Sequence, residues 1–218
     1  MDTRIKICGI TNLADARYAA GAGADFLGFI LHPGSPRFVE PSFAREIIEW
    51  LHGPKTVGVF VDAAVEDVNR DAALAGFDLV QLHGNESPEL CAAIERPVIK
   101  AIHIGGSGPA SASSPDELLA VAERYRGSAS HLLLDTAGAS AGGSGLSGGT
   151  GRAFDWSIVP DLPLPVFLAG GLRPDNVAEA IRVCRPFAVD TSSGVEEAPG
   201  RKDFTLIDAF AQAVRAGL

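Results

Sequence analysis

The stretch Phe26-Leu27-Gly28-Phe29-Ile30-Leu31, FLGFIL, is apolar throughout and predicts a strand that is buried on both faces. Strands of this kind are typical of parallel sheets, in which helices cover the outside of the sheet. The pattern recurs along the chain, because short apolar or β-branched runs alternate with amphipathic stretches of helical period. This alternation predicts consecutive βα units.

Eight strands and seven helices follow from this alternation. The strands are predicted at residues 4–8, 25–31, 55–61, 78–82, 97–103, 131–135, 165–170 and 187–191. The helices are predicted at residues 13–22, 42–51, 65–75, 88–94, 116–126, 175–184 and 204–216, and a short helical stretch is predicted at residues 155–162. Proline follows Ser87, Ser114 and Arg173 where a helix start is expected, a position that proline favours.

Eight such units in 218 residues favour a closed (β/α)8 TIM barrel, a parallel eight-stranded α/β fold in a single domain over residues 1–218. A doubly wound sheet of fewer strands is the alternative. Residues 105–114, GGSGPASASS, predict a solvated loop with no role of its own. Residues 136–152, TAGASAGGSGLSGGTGR, have the composition of a flexible linker, but the βα pattern resumes after them. We therefore interpret them as a long βα loop.

The composition, with 46% hydrophobic and 21% charged residues, is that of an ordinary globular protein. A net charge of −9 argues against a nucleic-acid binder. No apolar run approaches the roughly 18 residues of a membrane helix, and no apolar leader precedes the first strand, which predicts a cytoplasmic protein without a membrane partner. The three cysteines, Cys8, Cys91 and Cys184, form no paired motif.

Reactive side chains gather at the predicted strand ends. In a parallel barrel the functional residues lie at the C-terminal ends of the strands and in the loops that follow. Reading only these positions selects the following candidates: Cys8, Arg37, Asp62, Gln81, His83, His103, Asp135, Gly170, Gly171, Asp190, Ser192 and Ser193.

The alternation of side-chain directions along the first strand predicts where the Cys8 side chain points. Side chains two residues apart point the same way, so Lys6 and Cys8 share one face and Ile5 and Ile7 the other. Ile5 and Ile7 suit the layer against the helices, and Cys8 then lies inside the barrel near its top. The Lys6 cation would favour the Cys8 thiolate. A buried structural cysteine is the alternative, and Cys91 and Cys184 are interpreted as packing residues.

Three glycine-rich turns have the character of anion sites, because backbone N–H groups in such turns can hold a phosphate. They are residues 148–151, Gly170-Gly171 and residues 192–194, and the last two follow strands seven and eight, where barrels commonly bind phosphate. Arg37 could bind a carboxylate in a bidentate manner or be a surface arginine. Asp135, at the end of a buried strand, could be functional or a loop cap.

Taken together, these motifs resemble the phosphoribosylanthranilate isomerase family, a group of (β/α)8 barrels of tryptophan biosynthesis. The most specific motifs are KICGIT, residues 6–11, and DTSSGVE, residues 190–196. The others, in the order of the family, are GF at 28–29, SPR at 35–37, VQLHG at 80–84, LDT at 134–136, GGTG at 148–151, FDW at 154–156, AGGL at 169–172 and KD at 202–203.

The resemblance implies an isomerase that carries out an Amadori rearrangement without a metal or cofactor, acts on a small phosphorylated substrate and exists as a monomer or homodimer. Cys8 would be the general base, with a thiol pKa below the ordinary value, and Asp135 the general acid that has to hold a proton. Arg37 would bind the anthranilate carboxylate. Phosphate-binding and lining positions would be Gly149, Thr150, Gly151, Gly170, Gly171, Ser192 and Ser193, with His83 and Asp190 lining the site.

Three alternatives are left open by the residues. A sugar isomerase of histidine biosynthesis performs the same rearrangement, but it has aspartate where this chain has Cys8. A metal-dependent hydrolase could use His83, His103 and Asp135, although the paired His-x-His spacing is missing. A phosphate-binding protein without activity would have no need of both Cys8 and Asp135. The loop after Asp135 is also longer and richer in Gly and Ser than the family pattern.

Overall fold

The computed structural model describes residues 3–136 and 154–217. Within these ranges eight parallel strands form the barrel, and a two-residue strand, Ser111–Ala112, extends the same sheet. The eight strands of the barrel are β1 (Arg4–Ile7), β2 (Phe26–Ile30), β3 (Lys55–Phe60), β4 (Leu79–Leu82), β5 (Val98–Ile104), β6 (His131–Thr136), β7 (Val166–Leu168) and β8 (Ala188–Thr191).

The eight strands close into a ring. Each strand pairs in parallel with its neighbours in the chain, and β1 pairs with β8 to complete the circle. The register sets Lys6 of β1 opposite Phe26 of β2 and Asp190 of β8. The predicted (β/α)8 barrel is therefore confirmed, and the doubly wound alternative is wrong.

Seven helices surround the barrel in the described part of the chain: α1 (Leu13–Gly21), α2 (Pro41–Ile48), α3 (Val65–Ala75), α4 (Pro88–Ala92), α5 (Pro115–Arg124), α6 (Val177–Cys184) and α7 (Phe204–Ala216). The connection predicted at residues 155–162 contains only a 3₁₀ turn, Trp156–Ile158.

Two of the three predicted helix starts are confirmed. Ser87 and Ser114 cap α4 and α5, since their hydroxyl groups accept hydrogen bonds from the backbone N–H groups of Leu90 and Glu117. The start at Arg173-Pro174 is wrong. A turn precedes α6 there, closed by the Arg173 N–H, which donates to the Asn176 side chain at 2.8 Å, and the helix begins only at Val177.

Side-chain alternation divides the apolar residues into two cores. Ile5 and Ile7 belong to the larger core, between the strands and the helices, as predicted. The smaller core fills the barrel interior with side chains of the opposite parity: Phe26, Val57, Leu79, Ile99, Ala101, Leu133, Phe167, Ala169 and Ala188. These apolar side chains fill the lower part of the barrel, so the polar side chains that point inward lie near the C-terminal ends of the strands.

Residues 105–114 are not wholly the solvated loop that was predicted. Ser111–Ala112 form a short strand that pairs with the end of β5, and Ala110 and Ala112 are buried. Of the predicted loop at 136–152, Thr136 ends β6, and the other positions, including Gly149, Thr150 and Gly151, lie outside the described residues. The single domain over residues 1–218 stays a prediction for the same reason.

A buried ion pair shapes the turn after β4. The Lys100 ammonium, inaccessible to solvent, donates to Glu86 Oε2 at 2.8 Å and to the carbonyl oxygens of Leu82 and Gly84. Glu86 in turn accepts hydrogen bonds from the backbone N–H groups of Asp62 and Gly84. Every charged atom of the pair thus has a partner. Because Lys100 binds the carbonyl oxygens of Leu82 and Gly84, the pair fixes the backbone on both sides of His83, which directly follows β4.

Replacing Glu86 with alanine leaves the Lys100 ammonium buried without its counter-ion, and we expect the free energy of unfolding to fall by about 3–5 kcal/mol. The matched control is Glu49→Ala, which removes an exposed Arg45–Glu49 pair and is expected to cost at most about 0.5 kcal/mol. Urea unfolding of both variants measures the difference. Equal losses in the two variants would contradict the anchoring role of Glu86.

Candidate active site

A cavity of about 370 Å³ opens at the C-terminal end of the barrel. Its base and walls are the last inward side chains of the strands, together with residues of the loops that follow. The cavity brings together ten of the twelve candidates selected from the strand ends: Cys8, Arg37, Gln81, His83, Asp135, Gly170, Gly171, Asp190, Ser192 and Ser193. Asp62 and His103 are not in its lining, whereas Ile30 and Val59 are. Gln81 belongs to the VQLHG motif and had been assigned no role.

Cys8 and Asp135 face the same cavity from distant strands. In the closed ring, two strands separate β1 from β6 on one side and four on the other. The two side chains therefore reach the cavity from opposite parts of the barrel wall. An acid and a base placed in this way can act on different atoms of one bound molecule.

Below Cys8 lies an ion pair between Lys6 and Asp190. Lys6 Nζ donates to Asp190 Oδ1 at 3.0 Å, and the Lys6 side chain has no solvent exposure. Burial opposes the charge on Lys6, but Asp190 and Cys8 outweigh it and raise the pKa of Lys6, which is therefore an ammonium. The predicted common face of Lys6 and Cys8 is confirmed, since a Cβ atom added to Gly28 of β2 would lie 2.7 Å from Cys8 Sγ and 3.1 Å from Lys6 Nζ.

The expectation of a lowered thiol pKa is wrong. Burial raises the pKa of Cys8, and the negative charge of Asp190 acts in the same direction. Lys6 lowers it, as predicted, but not enough to outweigh burial. The resting thiol is therefore protonated at neutral pH.

Asp135 lies beside two side chains that are hydrogen-bonded to each other, His83 and Gln81. His83 Nε2 lies 3.3 Å from Asp135 Oδ2, and the Gln81 amide nitrogen donates to His83 Nδ1 at 2.9 Å. Because the amide nitrogen of Gln81 can only donate, His83 Nδ1 is the acceptor and Nε2, on the side of Asp135, carries a proton. His103 Nε2 donates to the carbonyl oxygen of His83 at 3.0 Å, which holds the imidazole-bearing residue in place.

Arg37 is not a surface arginine, because its side chain is only 11% exposed and lines the cavity. Gly9, with φ of +74°, makes room for it, since a Cβ atom there would lie 2.6 Å from Arg37 Cδ. The guanidinium forms a bidentate contact with Glu196, and Glu196 also accepts a hydrogen bond from Lys202. Burial acts to raise the pKa of Glu196, but Arg37 and Lys202 outweigh it and the pKa is lowered.

Glu196 and Lys202 had no role in the sequence-based prediction, although both lie in motifs shared with the family. They do not line the cavity, and a prediction based on strand ends does not select them. The pairing of an acidic and a basic residue on either side of Pro199-Gly200 is the feature that could have revealed them, since it suggests a hairpin.

The two described glycine-rich turns are adjacent at one side of the cavity. Gly170 and Gly171 have φ angles of +84° and +67°, a conformation that favours glycine. The Thr191 hydroxyl donates to the Leu172 carbonyl oxygen at 2.8 Å and joins the turn after β7 to the end of β8. Ser192 Oγ is buried and has no hydrogen-bond partner within the described residues, so it is available to a ligand.

In residues 3–136 and 154–217, no three His, Cys, Asp or Glu side chains are grouped so that they could hold a metal ion. None of the helices in the described part is long and apolar enough to span a bilayer.

Comparison with known families gives a match over nearly the whole chain. The profile of the N-(5'phosphoribosyl)anthranilate (PRA) isomerase family matches residues 5–213. The chain is similar to N-(5'-phosphoribosyl)anthranilate isomerase of Acidithiobacillus ferrooxidans, with 45% identity over 213 residues that cover 97% of each chain.

Solved structures agree with this match. The crystal structure of phosphoribosyl anthranilate isomerase from Thermotoga maritima superimposes with a TM-score of 0.82 and 38% identity, over 98% of this chain and 99% of the other. A phosphoribosyl anthranilate isomerase in complex with reduced 1-(o-carboxyphenylamino)-1-deoxyribulose 5-phosphate superimposes with a TM-score of 0.79 and 36% identity, over the same shares of the two chains.

The opposing effects of Lys6 and Asp190 on the Cys8 thiol can be separated by two substitutions. Lys6→Met removes a cation and is expected to raise the pKa of Cys8, so that alkylation at a given pH becomes slower. Asp190→Asn removes an anion and is expected to lower this pKa, so that alkylation becomes faster. The measurement is the pH dependence of the reaction with iodoacetamide, in a chain that also carries Cys91→Ala and Cys184→Ala. Shifts in the same direction in both variants would contradict the assignment.

Proposed function

The chain belongs to the N-(5'-phosphoribosyl)anthranilate isomerase family, and we propose that its barrel cavity performs this isomerisation by metal-free general acid–base catalysis. The family's reaction, in tryptophan biosynthesis, is an Amadori rearrangement of N-(5-phosphoribosyl)anthranilate. Its product is 1-(2-carboxyphenylamino)-1-deoxyribulose 5-phosphate. The observation that carries the proposal is that Cys8 and Asp135 line one cavity from opposite parts of the barrel wall.

In the first step Asp135 gives its proton to the ring oxygen of the ribose. The bond between this oxygen and C1 breaks, and the nitrogen lone pair forms an iminium with C1. His83 Nε2 lies 3.3 Å from Asp135 Oδ2 and would stabilise the carboxylate that is left after the transfer.

In the second step Cys8 removes the proton from C2. The electron pair of the C2–H bond forms a C1–C2 double bond, and the iminium becomes a neutral enolamine. Tautomerisation, in which C1 gains a proton and the C2 hydroxyl loses one, then yields the ketone. Although burial raises the pKa of Cys8, the positive charge of the iminium next to the thiol would lower it. The base would thus become competent once the ring has opened.

The anionic groups of the substrate have separate binding positions. Arg37 would bind the anthranilate carboxylate through its guanidinium. The backbone N–H groups of Gly171, Ser192 and Ser193 would hold the phosphate, with Gly170 allowing the turn, and the unpartnered hydroxyl of Ser192 supports this assignment. Gly149, Thr150 and Gly151 complete the phosphate site by resemblance to the family. Asp190 would keep the Lys6 ammonium in place beneath Cys8, the proposed base.

Removal of either catalytic group tests the proposal. Cys8→Ala and Asp135→Asn are each expected to lower kcat by about 10²–10⁴-fold, the usual contribution of a general acid or base. Phosphoribosylanthranilate would be produced in place from anthranilate and phosphoribosyl pyrophosphate by a transferase, and its consumption followed by fluorescence. Cys91→Ala, which removes a buried cysteine that is not part of the cavity lining, is the matched control and should retain the wild-type rate.

All assays would contain a chelator, and the wild-type rate should be the same without it. Loss of the wild-type rate with chelator would contradict the metal-free reaction. Turnover that survives in Cys8→Ala would mean that the base lies elsewhere, and the absence of wild-type turnover would refute the activity itself.

A further inference from the structure

We propose that Glu196 and Lys202 are positioning residues that set Arg37 for the carboxylate of the substrate and so determine the preference for an anthranilate-bearing ligand. This inference rests on the proposed function, in which Arg37 binds that carboxylate. Glu196 and Lys202 act through Arg37, since neither of them lines the cavity.

Glu196 holds one edge of the Arg37 guanidinium. Arg37 Nε donates to Glu196 Oε1 at 2.9 Å and to Oε2 at 3.1 Å, and Nη2 donates to Oε2 at 2.6 Å. A guanidinium has five N–H groups in one plane, and this contact uses the edge formed by Nε and Nη2. The edge formed by Nη1 and Nη2 is left for a second carboxylate. One arginine can thus bind Glu196 and the substrate at the same time.

Lys202 holds Glu196 in turn. Its ammonium donates to Glu196 Oε1 at 2.7 Å, to the Cys8 carbonyl oxygen at 2.6 Å and to the Ser192 carbonyl oxygen at 3.2 Å. These three bonds use all three N–H groups of the ammonium, which is fully buried. The antiparallel pairing of Glu196–Ala198 with Arg201–Lys202 places residues 196 and 202 opposite each other. The position of Glu196 is therefore determined by a hairpin that is tied to the ends of β1 and β8.

The charges explain why a lysine is needed. If Glu196 paired with Arg37 alone, their charges would cancel, and a second carboxylate would meet a neutral pair. With Lys202 the group carries two positive charges and one negative charge, and a bound carboxylate balances it. Glu196 therefore orients Arg37, and Lys202 compensates the charge of Glu196. Together they leave one positive charge at the cavity wall.

The contrary possibility is that Glu196 competes with the substrate for Arg37. In that case removal of Glu196 would free the guanidinium and strengthen the binding of a carboxylate. The two possibilities predict changes of opposite sign, so one binding measurement separates them.

The experiment compares two reduced ligands that differ only in the ring carboxylate. They are made from ribose 5-phosphate, whose C1 aldehyde forms an imine with anthranilate or with aniline, and borohydride reduces this imine to the 1-arylamino-1-deoxyribitol 5-phosphate. Isothermal titration gives their dissociation constants. The dissociation constant of the aniline-derived ligand divided by that of the anthranilate-derived ligand measures the preference for the carboxylate without involving catalysis. In Glu196→Ala we expect this ratio to fall by about tenfold or more, while the aniline-derived ligand binds within about threefold of wild type.

Control variants make the readout specific. Glu196→Gln, which keeps one acceptor oxygen but not the charge, should give an intermediate ratio, and Lys202→Met should lower the ratio as well. Glu197→Ala should leave the ratio unchanged, because this neighbouring residue pairs only with the exposed Arg201 in the described structure. Circular dichroism and thermal melting verify folding, and if Glu196→Ala does not fold, Glu196→Gln and Lys202→Met carry the test.

An unchanged or increased ratio in Glu196→Ala would overturn the positioning role. Equal weakening of both ligands would also overturn it, because it would show a general structural role. Arg37→Ala separates this inference from the proposed function. If Arg37→Ala leaves the ratio unchanged, the carboxylate-binding role of Arg37 is itself wrong. If only Arg37→Ala lowers it, the role of Arg37 stands and that of Glu196 and Lys202 does not.

Discussion

The buried ion pair between Lys6 and Asp190 lies between the apolar interior of the barrel and the candidate active site above it. Below it the interior is filled by apolar side chains, and above it polar side chains such as Gln81, His83 and Asp135 share the cavity lining with Ile30, Val59 and Ala169. Transfer of two charges into such an interior costs several kcal/mol per ion. The 3.0 Å contact between Lys6 and Asp190 offsets this cost, and it forms because the register of β1 and β8 sets the two residues opposite each other. Closure of the sheet between β1 and β8 is thus a condition for the charged floor of the cavity.

This floor has a consequence for the base. A cation and an anion lie beneath Cys8 and affect its pKa in opposite directions, so burial decides the balance. A protonated thiol is a poor base but is also protected from oxidation and alkylation, because both reactions need the thiolate. The proposed iminium intermediate would place a positive charge next to the thiol and lower its pKa. In this arrangement the reactive form of Cys8 arises next to the substrate that needs it.

The parts of this arrangement that depend on alternation could be predicted from the sequence. Cys8, Asp135 and Asp190 share the inward parity of their strands, and a closed parallel barrel places inward residues at strand ends around one cavity. The pKa of Cys8 could not be predicted, since it depends on how deeply the thiol is buried relative to the distances of its charged neighbours. The short strand Ser111–Ala112 was also missed, because small polar residues resemble a loop when their tertiary pairing is unknown.

The net charge of −9 would repel an anionic substrate, so the attraction has to come from groups near the cavity. At physiological ionic strength the field of distant surface charges is screened within about 8 Å, so nearby groups decide the local potential. Lys6 and Asp190 cancel each other, whereas Arg37, Lys202 and Glu196 leave one positive charge on the wall of the cavity. The glycine-rich turns offer N–H dipoles without a net charge. A carboxylate and a phosphate would thus meet different kinds of site, one charged and one dipolar. Because Lys202 also binds the carbonyl oxygens of Cys8 and Ser192, the charged site is held in a constant position relative to the base and to the phosphate turn.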